Sequence, residues 1–228
     1  MEPLVSCVMP TRGRTDMALK AIACFKAQTY PYLELIILDD AREPSFSGQA
    51  RLNLPSKTLY AQHTSRDIAE KRNVCARMAG GKLICHWDSD DWSAPDRVAD
   101  QVERLESGGK AVTGYHSMLF VDEQRHEAYW YSNDVNYAIG TSLLYTKNWW
   151  RLHPFMAPKD HPKWGEDNAF KEQARLENEL TTAEARALLV ARIHPDNTCP
   201  KSINVDSCSY RPVAWSTIPE DALCKPAA

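Results

Sequence analysis

Three of the most apolar segments of this chain run directly into residues that resist burial. "LVSCVM" (4–9) leads into "PTRGR", "LELIILDD" (33–40) ends in two acids, and "KLICHWD" (82–88) opens into "SDDW". Such runs are continuously apolar rather than alternating, which marks strands covered on both faces and therefore a mostly parallel sheet. "TLYAQH" (58–63) reads as a weaker strand of the same kind. The segments between them read as helices. Ala18, Ile22 and Phe25 recur at i, i+4 and i+7 between Thr15 and Gln28, and "SRDIAEKRNVCARMAGG" has Ser65 or Asp67 to cap it and Gly80-Gly81 to stop it. In open parallel sheets ligands bind beyond the carboxyl ends of the strands, where the strand order reverses. Three strands carrying reactive residues at that edge say more together than any one does alone.

The second half changes character. "AVTGYHSMLFVD" (111–122) and "RHEAYWYS" (125–132) predict a hairpin, and "AIGTSLLYT" (138–146) predicts another strand before the aromatic "KNWW". A Pro-rich loop leads to "GEDNAFKEQARLENEL", helical in composition; a further helix is expected over 182–191, and "IPEDALCKPAA" is expected to fray. With no repeat and no low-complexity linker, one domain of two halves is expected, over 4–109 and 110–200, with a tail over 201–228.

The 228 residues suffice for a sizeable core, and 43% hydrophobic with 25% charged residues fits an ordinary globular chain. A net charge of −3 without a block of like charges leaves no footprint for non-specific nucleic-acid or anionic-membrane binding. The seven cysteines form no C-x-x-C pair, and Cys7, Cys75 and Cys85 sit inside apolar runs, which predicts reduced, buried thiols in a cytoplasmic setting. "MEPLVSCVMPTRGR" reaches Pro10 too soon for a leader, and no apolar stretch is long enough to span a bilayer, so a soluble or at most peripheral protein is expected.

Asp88, Asp90 and Asp91 crowd negative charge that something positive should offset. The plain reading is a polar turn, with Asp90 or Ser93 capping a helix that starts near Pro95. An EF-hand loop fails: counted from Asp88, position 6 is Ser93 rather than Gly and position 12 is Ala99 rather than Glu. A phosphatase of the D-x-D type wants a small β-branched residue where Trp92 stands. A hard divalent cation, magnesium or manganese, fits, because it takes carboxylate oxygens together with waters and substrate phosphates.

In order, "VSCVMPTRGR", "QTYPYLELIILDDA", "KRNVCARMAGGKLICHWDSDDW", "GTSLLYTKNWW" and "WGEDNAF" resemble the successive signatures of family 2 glycosyltransferases with the GT-A fold, over about residues 4 to 194. The resemblance implies a Rossmann-like α/β domain, a mostly parallel central sheet flanked by helices, with a smaller antiparallel acceptor-side portion. It also implies a nucleotide-sugar donor and a Mn2+ or Mg2+ cofactor. Pro10, Thr11 and Arg12 would line the nucleotide pocket, and Asp40 would accept a hydrogen bond from uracil. Arg72 would face the pyrophosphate, Asp88 with Ser89 would lie nearer the ribose, and Asp90, with Asp88, would hold the metal. Asp167 would be the catalytic base, Glu166 would orient the acceptor or the base, and His194 would be a third metal ligand.

Each assignment has a plainer rival: a turn residue for Asp40, a solvated helix face for Arg72, helix-dipole acids for Glu166 and Asp167, and a structural histidine for His194. Trp92, Tyr145, Trp149, Trp150 and Trp164 are expected mainly in the core. Two departures matter. After "LDD" the family usually continues Gly-Ser, where this chain has Ala41-Arg42-Glu43-Pro44, and the Gln-x-x-Arg-Trp pattern of processive members is missing after Gln173. The expected activity is inverting transfer of one sugar from a UDP-sugar. A non-catalytic nucleotide-sugar-binding scaffold and a nucleotidyltransferase are the rival classes, the latter disfavoured by the single glycine of "PTRGRTD". The acceptor stays open among a lipid-linked sugar, a surface glycan, a protein side chain and a modified nucleobase.

Overall fold

The computed structural model describes residues 2–46, 48, 51, 53–159, 165–198, 203 and 209–223. Its first half alternates strands and helices: β1 (Val5–Thr11), α1 (Thr15–Lys26), β2 (Leu33–Asp39), β3 (Thr58–Gln62), α2 (Ile68–Met78) and β4 (Leu83–His86). The four strands are parallel in the order β3-β2-β1-β4. Thr11 pairs with Asp39, and Val8 with His86, so the acid-bearing ends share one edge.

The continuous apolar runs have a direct cause. Leu35 and Ile37 pack with α1 on one face, while their neighbours Ile36 and Leu38 pack with α2 on the other. Each such side chain, fully buried, stabilises by about 1.5–3 kcal/mol. Asp67 caps α2, its carboxylate accepting from Glu70 N at 2.7 Å.

The second half comprises β5 (Trp92–Ser93), α3 (Arg97–Gly108), β6 (Val112–Asp122), β7 (Glu127–Ser132), β8 (Leu144–Thr146), α4 (Lys147–Leu152), α5 (Glu166–Leu176), β9 (Leu180–Glu184), β10 (Leu189–Arg192) and β11 (Tyr210–Pro212). β6 and β7 form the expected hairpin, and β8 runs antiparallel to both β4 and β6, joining the halves in one mixed sheet.

Three expectations need correction. Residues 182–191 are not helical: β9 and β10 lie parallel along β6, separated by a turn in which Arg186 has φ 48°. The backbone groups of β6 need partners, and that requirement overrides the helical composition of "TAEARALL". Residues 138–146 form a strand only from Leu144 onward; Gly140–Ser142 is a 3-10 turn whose backbone passes close to α5. The tail does not fray where it is described, because Ile218 and Ala222 are buried against Trp92, Leu119 and Val190. Residues 224–228 and Trp164 lie outside the described residues. The four described cysteines, Cys7, Cys24, Cys75 and Cys85, are free thiols, and Trp92, Tyr145, Trp149 and Trp150 are buried as expected.

A buried arginine fixes the edge that matters. Arg97 donates to Ser93 Oγ (2.8 Å), His86 O (2.9 Å) and Thr141 O (3.0 Å). It thereby ties the end of β4, the start of α3 and the 3-10 turn together beneath the acidic loop.

Candidate active site

Beyond the carboxyl ends of β1 and β4 lies a cavity of about 400 Å³, bounded by Pro10 and Arg14, by Lys71 and Arg72 of α2, and by the acidic loop 88–91. Glu166 and Asp167 at the start of α5 close a further side, and Phe120, Tyr131, Tyr137 and Tyr210 form an aromatic wall. The two halves of the chain thus meet at one cleft.

Its carboxylates are matched to cations. Arg72, only 6% exposed, reaches both halves: Nε donates to Glu166 Oε1 at 2.7 Å, and Nη2 lies 3.3 Å from Asp88 Oδ1. Burial works against its charge, but Asp88 and Glu166 outweigh burial and hold it ionised. Arg14 Nη1 donates to Asp90 Oδ2 at 2.6 Å, Lys71 Nζ lies 2.8 Å from Asp40, and Lys171 Nζ lies 3.1 Å from Asp167.

The five acids of the two strand ends divide between uncharged donors and cations, Asp88 being held by Arg72. Asp39 is fully buried and accepts from Ala41 N, Ser45 N, Ser45 Oγ and Tyr60 Oη, which closes the turn after β2. Asp40 keeps Lys71 on Oδ2, while its Oδ1 is buried without a hydrogen-bond partner among the described residues. Asp91 accepts from Thr141 Oγ1 (2.6 Å) and Arg192 N (3.1 Å). Asp90 instead faces Arg14 and His194. Burial tends to raise the Asp90 carboxyl, but the His194 contact and the Arg14 charge bring it below its ordinary value.

The other expected site residues fall as follows. Pro10, Arg72, Asp88, Ser89, Asp90, Glu166 and Asp167 line the cavity. Thr11 sits on the buried end of β1, and its Oγ1, like Ser89 Oγ and Arg72 Nη1, is buried without a partner among the described residues. Arg12 is exposed and is not among the lining residues: Gly13, at φ 64°, turns the chain so that Arg14 enters instead. Arg14, Lys71, Lys171 and Thr141 are the residues sequence reasoning missed. Only Lys171 left a usable sign, lying i+4 from Asp167 on one helix.

Among the described residues no three His, Cys, Asp or Glu side chains are grouped to hold a metal ion unaided. A cation that completes its shell with water and phosphate still fits Asp90 and His194. Asn197 Oδ1 accepts from His194 N and its Nδ2 donates to Arg192 O, so the amide presents N–H to His194 Nε2 at 3.0 Å. That same ring nitrogen faces Asp90 Oδ2 at 3.0 Å. A proton on that nitrogen donates to the carboxylate, and a cation in its place would find both atoms as ligands.

Glu166 and Asp167 are pushed apart. Burial raises the Glu166 carboxyl, with Arg72 opposing and Asp167 assisting. At Asp167 burial acts the same way but is outweighed by the charge and hydrogen bond of Lys171, so this carboxyl lies below its ordinary value. Gly140 is needed here, since a methyl group built on it would overlap the Asp167 carboxylate. Behind them His86 donates Nδ1–H to Gly140 O at 2.8 Å and is held neutral, pushed down to about 3 by burial with the Arg72 charge adding.

A parallel half-sheet with an acid-lined cleft at its carboxyl edge, completed by an antiparallel portion, is the GT-A architecture of glycosyltransferases. The family described as "Glycosyl transferase family 2" matches residues 6–173, and the chain belongs to that family. It is 32% identical over 100 residues to the putative colanic acid biosynthesis glycosyl transferase WcaA of Escherichia coli, covering 42% of this chain and 36% of that protein. It is 27% identical over 132 residues to a glycosyltransferase of Rickettsia conorii, covering 51% of this chain and 22% of that one. Among solved structures it is similar to S. aureus TarS 1–349 in complex with UDP-GlcNAc, with TM-score 0.70 and 16% identity over 86% of this chain and 60% of that one. It is also similar to a mannosyltransferase from Pyrobaculum calidifontis in complex with GDP-Man and Mn2+, with TM-score 0.65 and 16% identity over 87% and 59%. At such identities the structural likeness speaks to the fold, and the chain spans less than two thirds of each of these proteins. No helix among the described residues is long and apolar enough to cross a membrane.

Proposed function

We propose that this chain transfers one sugar from a nucleoside-diphosphate sugar, a UDP-sugar in the first instance, to an acceptor hydroxyl with inversion at the anomeric carbon. The observation that carries the reading is the convergence of Asp88 and Asp90 with Arg72, Glu166 and Asp167 around one cavity, although the two acidic groups come from opposite halves of the chain. The family, and the nucleotide-sugars bound in the similar structures, support it.

The donor half, residues 4–109, binds the nucleotide. Asp40 Oδ1 and Thr11 Oγ1 offer unpartnered polar atoms to a base ring beside Pro10. Asp88 and Ser89 lie toward the ribose. Asp90 with His194, assisted by Asp88, would hold Mn2+ or Mg2+, which would supply positive charge against that building on the leaving diphosphate. Arg72 adds a fixed positive group toward that anion, with Arg14 close by on Asp90.

The acceptor half, residues 110–200, presents the hydroxyl to Asp167. As the acceptor oxygen bonds to the anomeric carbon and the bond to the diphosphate oxygen breaks, the proton passes to Asp167 and the electron pair leaves with the diphosphate. Glu166, anchored on Arg72, fixes the start of α5 so that Asp167 points into the cleft. The free thiols fit action in a reducing, cytoplasmic setting.

Asp167→Asn should lower turnover, read as nucleoside-diphosphate release from a panel of UDP- and GDP-sugars, by about 10²–10⁴-fold with donor binding retained. Full turnover in that variant would remove Asp167 as base, and release of pyrophosphate would replace the class.

A further inference from the structure

Lys171 is an unusual neighbour for a base. It is 5% exposed on α5, one turn after Asp167, with Nζ 3.1 Å from Asp167 Oδ2. On its other side the ammonium sits 4.0 Å from the centre of the Tyr137 ring, in the aromatic wall of the cleft. Burying a lysine in this way costs several kcal/mol unless the charge is paired, so its location implies a partner that is itself charged. Asp167 also has Glu166 beside it, a like charge that would otherwise favour protonating one of the two.

We propose that Lys171 is a positioning residue that clamps Oδ2 of Asp167 and keeps this carboxylate ionised and aimed at the acceptor, with Tyr137 as the anchor for its ammonium. This rests on Asp167 as the base. Lys171 holds Oδ2, which leaves Oδ1 for the acceptor proton. Gly140 leaves room for the clamped carboxylate. The charged and titratable groups around Asp167 are Glu166 and Lys171 on α5, Arg72 on α2, neutral His86 on β4, and Tyr137 against Lys171. Arg72 is already committed to Glu166 and Asp88, so Lys171 is the cation that answers Asp167. Burial and Glu166 both favour the protonated acid once it is gone.

The test needs no substrate. The chain is labelled with ¹³C at aspartate Cγ, Asp167 is assigned by its loss in Asp167→Asn, and its carboxyl is titrated by NMR. Wild type should titrate below the ordinary value of about 3.9. Lys171→Met should titrate at least one unit higher, about a tenfold gain in proton affinity, and Lys171→Arg should restore the wild-type behaviour. Lys171→Gln, which keeps an N–H donor without the charge, should follow Lys171→Met. An unmoved titration in folded Lys171→Met or Lys171→Gln would overturn the inference. If neither variant folds, a wild-type Asp167 that titrates at or above the ordinary value overturns it by itself. These outcomes are separate from the base assignment, which fails only if Asp167→Asn keeps its turnover.

Discussion

The turns after β2 and after β4 pose the same problem, adjacent acids at the end of a buried strand, and solve it by different means. In both, one acid is consumed by architecture: Asp39 by Ser45, Tyr60 and the backbone of Ala41, Asp91 by Thr141 and the backbone of Arg192. The other acid is held by a side-chain cation that a ligand can displace or share. After β2 that acid is Asp40 alone, with one oxygen partnered by Lys71 and one unpartnered, an arrangement suited to a single neutral N–H donor. After β4 two acids remain, Asp88 and Asp90, with His194 alongside, an arrangement suited to a cation. Adjacent acids at a strand end therefore tell little until their donors are known. Uncharged donors mark structure, and replaceable cations mark a site.

Three substitutions would sharpen or break this contrast. The largest effect is expected from Asp91→Ala, which strands Thr141 Oγ1 and Arg192 N inside the protein. Buried groups left unsatisfied cost about 1–3 kcal/mol each, so thermal or urea unfolding should show a stability loss clearly greater than that of Asp90→Ala. Asp90→Ala should leave a folded protein whose nucleotide binding no longer responds to manganese. Equal destabilisation by the two would dissolve the distinction. Next, Asp40→Asn should weaken UDP binding by about tenfold, roughly 1.4 kcal/mol, and narrow its margin over other nucleotides, as calorimetry would read. Unchanged selectivity would detach Asp40 from the base.

The smallest effect is in stability against pH. Asp90 and Asp167 lie below their ordinary values in the folded protein, so their contribution is present above about 4 and is lost as the pH falls through the folded values. Glu166, raised by burial, opposes them near its own titration. Melting temperatures of wild type should therefore fall more steeply below pH 4 than those of a folded Asp90→Asn variant.

How much of this could be read beforehand follows from where the information sits. β1, β2 and β4 were legible because burial on both faces forces uninterrupted apolar runs. The start of α2, capped by Asp67 from the two candidates Ser65 and Asp67, and the hairpin of β6 and β7 were legible because they depend on near neighbours. The 182–191 segment was not, because its conformation is set by backbone groups of β6 far away in sequence, and local composition carries no trace of them. In the cleft, the resemblance to family 2 glycosyltransferases, rather than composition or spacing, indicated Asp88, Asp90, Glu166 and Asp167, and these four residues line one cavity. It could not indicate their cations. Arg12 and Arg14 differ only by the turn at Gly13, and Lys71 and Arg72 are adjacent residues of one helix that reach different acids.

The central claim, that the cleft binds a nucleoside diphosphate through a metal held beside Asp90, is tested most directly by calorimetric titration of UDP, GDP and TDP into the purified protein with and without manganese. Selective UDP binding that strengthens when manganese is present is the expected result. Binding indifferent to manganese would contradict the role given to Asp90 and His194, and a folded protein that binds none of the three would contradict the proposed function as a whole.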